Sequence, residues 1–166
     1  MAKPTVYLDA NIFSVLYYRG QAVSVAHTIS TLNWWAMERE FFQLFSSRAV
    51  VVELQKGTYA AQDAAVAEAR KLPFLHFSPA VENCAAFFRQ EGVVPVEKPA
   101  DAIHLAMATV HGIDYLLTWN YAHLANFEVQ RKVALICIRN GWREPYLVSP
   151  ESIPRVTMGQ AIRRRP

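Results

Sequence analysis

Two stretches decide how this chain folds: TVYLDAN at residues 5–11 and PADAIHLAMAT at residues 99–109. In the first, Asp9 follows a short run of β-branched and aromatic residues that is typical of a buried strand. In the second, Asp101 lies in the first turn of a predicted helix that begins with a proline. Parallel α/β sheets gather polar groups where strands end and helices begin. A crevice lined by carboxylates favours Mg²⁺ or Mn²⁺, and the sequence therefore suggests metal-dependent phosphodiester chemistry.

Strand-like and helix-like segments alternate along the whole sequence. We predict strands at about residues 4–8, 41–46, 74–77, 115–119 and 146–148. Helices are predicted at about residues 11–18, 23–40, 48–56, 60–71, 79–91, 99–111 and from 120 to 139. This alternation predicts an α/β fold in which a mostly parallel central sheet carries helices on both faces. No repeat or long linker divides the sequence, so we expect residues 1–166 to form a single domain.

The composition is that of one well-packed domain. Apolar residues make up 52% of the chain and charged residues 19%, which argues against a disordered protein. Cys84 and Cys137 lie in apolar surroundings and match no metal-ligand spacing, so buried free thiols in a reducing cytosol are expected. No apolar run approaches the length of a membrane span. We therefore expect a cytoplasmic protein with no membrane partner.

The net charge of +3 comes from one cluster near the end of the chain. Of the 17 basic residues, Arg163, Arg164 and Arg165 supply the excess over the 14 acidic ones. We expect residues 160–166 to be a flexible basic tail, which can add contacts to phosphate groups or can simply be solvated. Composition alone does not establish an RNA-binding surface.

Four motifs, in this order, resemble those of PIN-domain proteins: YLDANIFS at 7–14, VVELQKG at 51–57, DAIHLA at 101–106 and LLTWNYAHLAN at 116–126. The resemblance covers nearly the whole chain and is strongest to the bacterial VapC-like group, the toxin ribonucleases of type II toxin-antitoxin pairs. It implies a PIN-like three-layer α/β/α sandwich and a cluster of acids that binds Mg²⁺ or Mn²⁺. It also implies cleavage of single-stranded RNA, held in check by an antitoxin protein.

Three acids, Asp9, Glu53 and Asp101, are the candidate metal ligands. Asp9 ends an apolar strand, where its carboxylate can bridge metal and phosphate; the alternative is an Asx cap for the next helix. At Asp101, the helix dipole favours a negative charge whether or not a metal is present. Glu53 is the third acid by the resemblance, and its apolar neighbours suggest that a buried helix brings it inward. A lone helical glutamate is otherwise usually a solvated surface residue.

Asn120 departs from many PIN domains, which have an aspartate at the matching position. Its amide oxygen can coordinate a metal or orient a water molecule, but it adds no negative charge, so a second metal would bind less tightly. An N-cap for a helix at residues 121–126 explains Asn120 equally well. Asn11 and Thr118 can orient the carboxylates or the scissile phosphate, although capping and strand-end hydrogen bonds are equally good explanations for them.

The acids and the resemblance together predict a metal-dependent endoribonuclease that hydrolyses phosphodiester bonds of single-stranded RNA, and the toxin of a toxin-antitoxin pair. Asp9, Glu53 and Asp101 would hold Mg²⁺ or Mn²⁺, which activates a water molecule, and Asn120 is the fourth catalytic candidate. No serine, cysteine or histidine nucleophile is needed. The alternative is a catalytically weak or inactive PIN-like module that binds RNA or a protein partner, which Asn120 and the near-neutral body both permit.

The histidines and tryptophans are expected to serve structure. His104 shares a helical face with Asp101, and we expect a hydrogen-bonded core or rim residue more than a contact to substrate. The other four histidines have no partner at ligand spacing and receive no role. Trp34 and Trp35 lie on one helix, and an exposed pair would promote aggregation. We therefore expect them in a homodimer interface or in a groove for an antitoxin segment.

Overall fold

A five-stranded parallel sheet forms the centre of the molecule. The computed structural model describes residues 2–17 and 24–155. The strands are β1 Thr5–Leu8, β2 Gln43–Ser47, β3 Phe74–Leu75, β4 Tyr115–Leu117 and β5 Tyr146–Val148. They lie in the order β3-β2-β1-β4-β5, and every pairing is parallel. The predicted α/β class with a mostly parallel sheet is confirmed.

Helices connect the strands. They are α1 Ala10–Tyr17, α2 Val25–Met37, α3 Arg48–Lys56, α4 Gln62–Lys71, α5 Pro79–Gln90, α6 Pro99–Val110 and α7 Phe127–Asn140. Helix α5 packs mainly against α6, and α1 packs against α2, α3 and α4. Within the described residues, no helix has the length and apolar character needed to cross a membrane.

Some element boundaries differ from the predicted ones. Helix α2 ends at Met37, and a short 3₁₀ turn at Arg39–Phe41 replaces the expected start of the second strand. Residues 121–124 form turns, not the start of a helix. Helix α7 begins only at Phe127 because the side chain of Asn126 caps it, accepting a hydrogen bond from the backbone N–H of Val129 at 2.9 Å. The end of the first predicted helix at residue 18, the start of the second at residue 23 and the expected tail at residues 160–166 lie outside the described residues.

The central strand β1 explains how the sheet positions polar groups. Val6, Tyr7 and Leu8 are all fully buried, as expected of a strand that is covered on both faces. The ladder continues one residue further, since the backbone N–H of Asp9 donates to the carbonyl of Leu117 at 3.0 Å. The carboxyl ends of parallel strands meet at one edge of a sheet. The residues that follow β1 and β4 are therefore neighbours there.

The predicted state of the cysteines is confirmed. Cys84 lies on α5 and Cys137 on α7, and both are free and buried. Burial raises the pKa of each thiol to about 12. A thiol with so high a pKa is almost entirely protonated at neutral pH, and each of these buried thiols packs as a small apolar group.

The prediction that Trp34 lies in a homodimer interface or an antitoxin groove is wrong. Its ring is 1% exposed and packs in the core near Phe42, because it lies on the inner side of α2. Trp35 is partly buried, with an edge contact to Phe13 and the guanidinium group of Arg39 4.4 Å from its ring centre. The apolar side chains that α2 does expose are at other positions, namely Val25, Ile29, Leu32 and Met37.

Candidate metal centre

Asp9 is a buried carboxylate held by three donors. Its side chain follows β1 directly, and the residue is 3% exposed. One oxygen, Oδ1, accepts from the backbone N–H of Ala10 at 2.6 Å. The other, Oδ2, accepts from the Thr118 hydroxyl at 2.6 Å and from the Asn11 amide at 2.8 Å. Burial raises the pKa of Asp9, and its hydrogen bonds and the nearby imidazole of His104 offset this only in part.

Asn11 and Thr118 join the ends of two neighbouring strands around this carboxylate. The Asn11 amide nitrogen also lies 3.0 Å from the hydroxyl of Thr118, and its amide oxygen accepts from the backbone N–H of Trp119 at 2.9 Å. The structure thus places both side chains in contact with Asp9. Their hydrogen bonds fix which way its oxygens point.

Glu53 and His104 complete a compact group with Asp9. Glu53 lies on α3, and its side chain is 42% exposed, whereas His104 on α6 is 2% exposed. The Nε2 atom of His104 is 2.9 Å from Oε2 of Glu53 and 3.7 Å from Oδ1 of Asp9. One ligand atom from each of the three residues lies within 4.8 Å of the others. Two carboxylates and an imidazole at this spacing fit a divalent cation such as Mn²⁺.

The contacts of Glu53 and His104 shift the pKa values of both side chains. The hydrogen bond from His104 is the main cause that lowers the pKa of Glu53, against a smaller opposing effect of burial. Burial by itself would lower the pKa of His104. The neighbouring Tyr7, Asp9 and Glu53 outweigh this effect and hold the pKa well above its usual value. Without a cation, the imidazole therefore balances part of the carboxylate charge.

The second nitrogen of His104 faces away from the acids. Its Nδ1 atom is 2.8 Å from the hydroxyl of Tyr7, which in turn is 2.7 Å from the hydroxyl of Ser47. Ser47 also caps α3, since its oxygen accepts from the backbone N–H of Val50 at 3.3 Å. These contacts link the imidazole to the ends of β1 and β2.

Asp101 and Asn120 are joined to the group through His123 and Thr118. The carboxylate of Asp101 contacts Nδ1 of His123 at 3.0 Å. The amide oxygen of Asn120 accepts from the backbone N–H of His123 at 3.0 Å, and the backbone N–H of Asn120 donates to the Thr118 hydroxyl. Asp101 also lies one turn before His104 on α6, so the two side chains point to the same side of that helix.

The three acids that were predicted from the sequence thus take part in two separate contacts, which are linked to each other. Asp9 and Glu53 meet at His104, and Asp101 meets His123. Asn120 makes the capping type of hydrogen bond that was its alternative explanation, although the residues after it form turns and not a helix. Sequence reasoning gave no site role to His104 or His123. Their spacing of three residues from Asp101 and Asn120 was the one available signal.

Trp119 anchors the end of β4 to α2. Its indole N–H donates to the hydroxyl of Thr31 at 2.8 Å, and its ring stacks on His27 with ring centres 3.9 Å apart. Trp119 lies directly after Thr118, so these contacts also help to fix the hydroxyl that donates to Asp9. The histidine here serves packing.

The fold of this chain is similar to that of a protein of known structure. A chain in the crystal structure of VapBC2 from Rickettsia felis, bound to a DNA fragment from their promoter, superposes with a TM-score of 0.50 and 15% identity. The similarity covers 87% of this chain and 98% of that one. This chain has a VapC-like PIN fold. The predicted PIN-like α/β/α class is confirmed, and so, at the level of fold, is the resemblance that the motifs indicated.

No protein-family model matches the sequence, and no curated protein is similar to it. At 15% identity, the structural similarity shows the fold alone.

Proposed function

We propose that this protein is a metal-dependent endoribonuclease that hydrolyses phosphodiester bonds of single-stranded RNA, and that it is the toxin of a toxin-antitoxin pair. One observation carries the proposal. A buried Asp9 and a partly exposed Glu53, brought from different elements, have ligand atoms within 4.8 Å of each other and of His104, on a VapC-like fold. Carboxylates this close together repel each other unless a positive charge pairs with them.

In this proposal, the acids bind the metal ion and their neighbours orient them. Asp9, Glu53 and Asp101 hold Mg²⁺ or Mn²⁺, and Asn11 and Thr118 keep the Asp9 carboxylate in one orientation. When bound, such an ion polarises a water molecule for attack on phosphorus and offsets charge on the phosphate. The partly exposed Glu53 leaves the group open to substrate on its side.

His123 and Asn120 support this arrangement. His123 orients Asp101, while Asn120 fixes the backbone that carries His123. Asn120 brings no negative charge of its own. The residues of the chain therefore supply enough charge for one tightly held ion, and a second would depend on the substrate phosphate.

Partners follow from the same proposal. The similar structure is one of VapBC2, and the motif resemblance implies an antitoxin protein, so we propose that an antitoxin holds this nuclease in check. We also propose a homodimer, in which a second copy covers the exposed apolar side chains of Val25, Ile29 and Leu32 on α2. Both partners would meet the protein in the cytoplasm.

The test compares cleavage of a mixed single-stranded RNA pool in Mn²⁺ by the wild type and by Asp9→Asn, Glu53→Gln and Asp101→Asn. Each substitution removes one charge at nearly constant size, so we expect cleavage to fall by orders of magnitude. Asp63→Asn is the matched control, because Asp63 lies in the first turn of α4 as Asp101 does in α6. Both variants lose a dipole interaction of about 0.3 to 1 kcal/mol, but the Asp63 variant should cleave like the wild type.

The outcomes separate the alternatives. Equal cleavage by the wild type and Asp101→Asn, prepared identically, would remove Asp101 from the site and point to a contaminating nuclease. RNA binding with no cleavage in Mn²⁺ or Mg²⁺ would identify a binding module in place of an enzyme. Activity that survives removal of divalent ions by a chelator would exclude metal-dependent hydrolysis.

A further inference from the structure

His104 offers an imidazole nitrogen to the space that the carboxylates of Asp9 and Glu53 share. Its Nε2 atom lies 2.9 Å from Glu53 and 3.7 Å from Asp9, and the side chain is 2% exposed. The sequence motifs assign ligand roles to acids alone. A nitrogen donor in the same group would change which ions the group prefers.

The ring is held from its opposite side by groups that belong to the sheet. Nδ1 contacts the Tyr7 hydroxyl from β1, and that hydroxyl contacts Ser47 at the end of β2. Histidines that bind metals usually engage their second ring nitrogen in such a hydrogen bond, which fixes the tautomer and the orientation of the ring. These contacts are independent of the acids and aim Nε2 at them.

The hydroxyl pair of Tyr7 and Ser47 is compatible with two arrangements of the protons, without any change in the positions of the heavier atoms. In both contacts of Tyr7, the direction of the hydrogen bond can run either way. With a proton on Nε2, the ring donates to Glu53. With Nδ1 alone protonated, the ring donates to Tyr7, which donates to Ser47, and the Nε2 lone pair is free on the side where Glu53 and Asp9 lie 2.9 Å and 3.7 Å away. The second arrangement is that of a metal ligand.

We propose that His104 is a nitrogen ligand of the metal ion, beside Asp9 and Glu53, and that the site therefore prefers Mn²⁺ or Co²⁺ to Mg²⁺. Imidazole nitrogen suits transition metals, whereas Mg²⁺ favours oxygen ligands and keeps several waters. The inference rests on the proposed function in one respect, namely that the group binds a divalent ion. It extends that function by naming a ligand and an ion preference.

Pulsed electron paramagnetic resonance of the Mn²⁺-loaded full chain is the direct test. We expect modulation from a directly coordinated imidazole nitrogen, and its replacement by the ¹⁵N pattern when the protein is grown on ¹⁵N-histidine. His123→Gln is the matched control, because His104 and His123 are the histidines whose rings contact acids of the site in the described part of the chain. The signal should survive His123→Gln and disappear in His104→Gln.

Calorimetric titration with Co²⁺ and Mg²⁺ measures the preference itself. We expect the wild type to bind Co²⁺ more tightly than Mg²⁺. The substitution His104→Gln should weaken Co²⁺ binding by about a hundredfold and Mg²⁺ binding by only about threefold. If that variant does not fold, Tyr7→Phe keeps the imidazole but removes its hydroxyl partner. It should retain the nitrogen modulation and lose about tenfold in Co²⁺ affinity.

The results distinguish failure of this inference from failure of the proposed function. Mn²⁺ that binds without nitrogen modulation, or whose modulation is lost in His123→Gln alone, would overturn the role of His104 and leave the nuclease proposal standing. Equal affinity for Co²⁺ and Mg²⁺ would overturn the ion preference. No binding of any divalent ion would overturn the metal chemistry and this inference together.

Discussion

At the scale of single residues, Asp9 is a carboxylate that the fold holds in a buried position. Its carboxylate is almost inaccessible to water and accepts three hydrogen bonds, and Glu53 nearby raises the pKa of Asp9 further. Burial of a charge costs free energy unless the charge is paired. A cation that pairs with it should therefore stabilise the folded state over the unfolded one.

We predict that Mn²⁺ raises the unfolding temperature of the wild type and that a chelator reverses the effect. A ligand that binds only the folded state adds about 2.7 kcal/mol to the free energy of unfolding at a hundred times its Kd. Asp9→Asn should abolish the increase, and Asp63→Asn should retain it. Scanning calorimetry measures both. An equal Mn²⁺ effect in Asp9→Asn would show that the ion binds elsewhere.

We also predict that Cys84 and Cys137 resist alkylation in the native protein. Thiolate is the reactive form, and burial raises the pKa of both thiols to about 12. At pH 8, the thiolate fraction should be about a thousandfold below that of a thiol at the reference value of 9.0. Mass spectrometry after iodoacetamide treatment should show modification only in urea. Rapid labelling of the native chain would contradict the packing around α5 and α7.

The same scale shows how much of the candidate site could be predicted from the sequence. The positions of Asp9, directly after a strand, and of Asp101, in the first turn of a helix, could be predicted because both are local patterns. Glu53 needed the family resemblance. The role of His104 depends on Glu53, 51 residues away, and that of His123 on Asp101, 22 residues away. Their ring contacts with acids are tertiary and have no local signature.

At the scale of elements, two helices that begin in the same way provide a matched experiment. Ser47 caps α3 and Ser78 caps α5, each by accepting a hydrogen bond from the backbone N–H three residues later. Ser47 also contacts the Tyr7 hydroxyl, which carries its effect to His104. The two serines thus share one structural role and differ in their connection to the candidate metal centre.

We predict that Ser47→Ala and Ser78→Ala each lower the free energy of unfolding by about 1 kcal/mol, the usual value of a lost cap. Metal binding should distinguish them, because Ser47→Ala alone releases Tyr7 and thereby the His104 ring. Urea denaturation and Co²⁺ titration measure the two effects. Identical Co²⁺ affinities in both variants would show that the hydroxyl pair does not support the ring.

Local sequence patterns were sufficient to predict some element boundaries and insufficient for others. Helix α6 could be placed closely because Pro99 and Gly112 mark its two ends. The segment between β4 and α7 was predicted to begin a helix, yet residues 121–124 form turns. Its path is set by hydrogen bonds of Asn120 and by the packing of Trp119 on α2. Such contacts override local helix propensity.

At the scale of the whole molecule, the exposed face of α2 bears on assembly. Val25, Ile29 and Leu32 recur at helical spacing, and Ile29 is 53% exposed. We predict a homodimer that Ile29→Lys converts to a monomer. Ile138→Lys is the control, since Ile138 on α7 is 76% exposed and lies on another helix. Light scattering after gel filtration measures the mass. A monomeric wild type, or dissociation by Ile138→Lys alone, would contradict this interface.

The alternation of strands and helices predicts the parallel sheet correctly, because a parallel connection needs a crossover that a helix usually provides. The order of the strands could not be predicted in this way. Placing β1 between β2 and β4 depends on long-range pairing, such as that of Tyr7 with both Phe45 and Leu116.

The central position of β1 also determines when the contacts of Asp9 can form during synthesis. Thr118, whose hydroxyl fixes the Asp9 carboxylate, is made 109 residues after Asp9. At the usual elongation rate, this delay is on the order of 5 to 20 seconds. During that interval β4 is missing, and β1 lacks one of its two neighbours. On the ribosome, the proposed nuclease therefore cannot complete the contacts of its Asp9 carboxylate before β4 has been made.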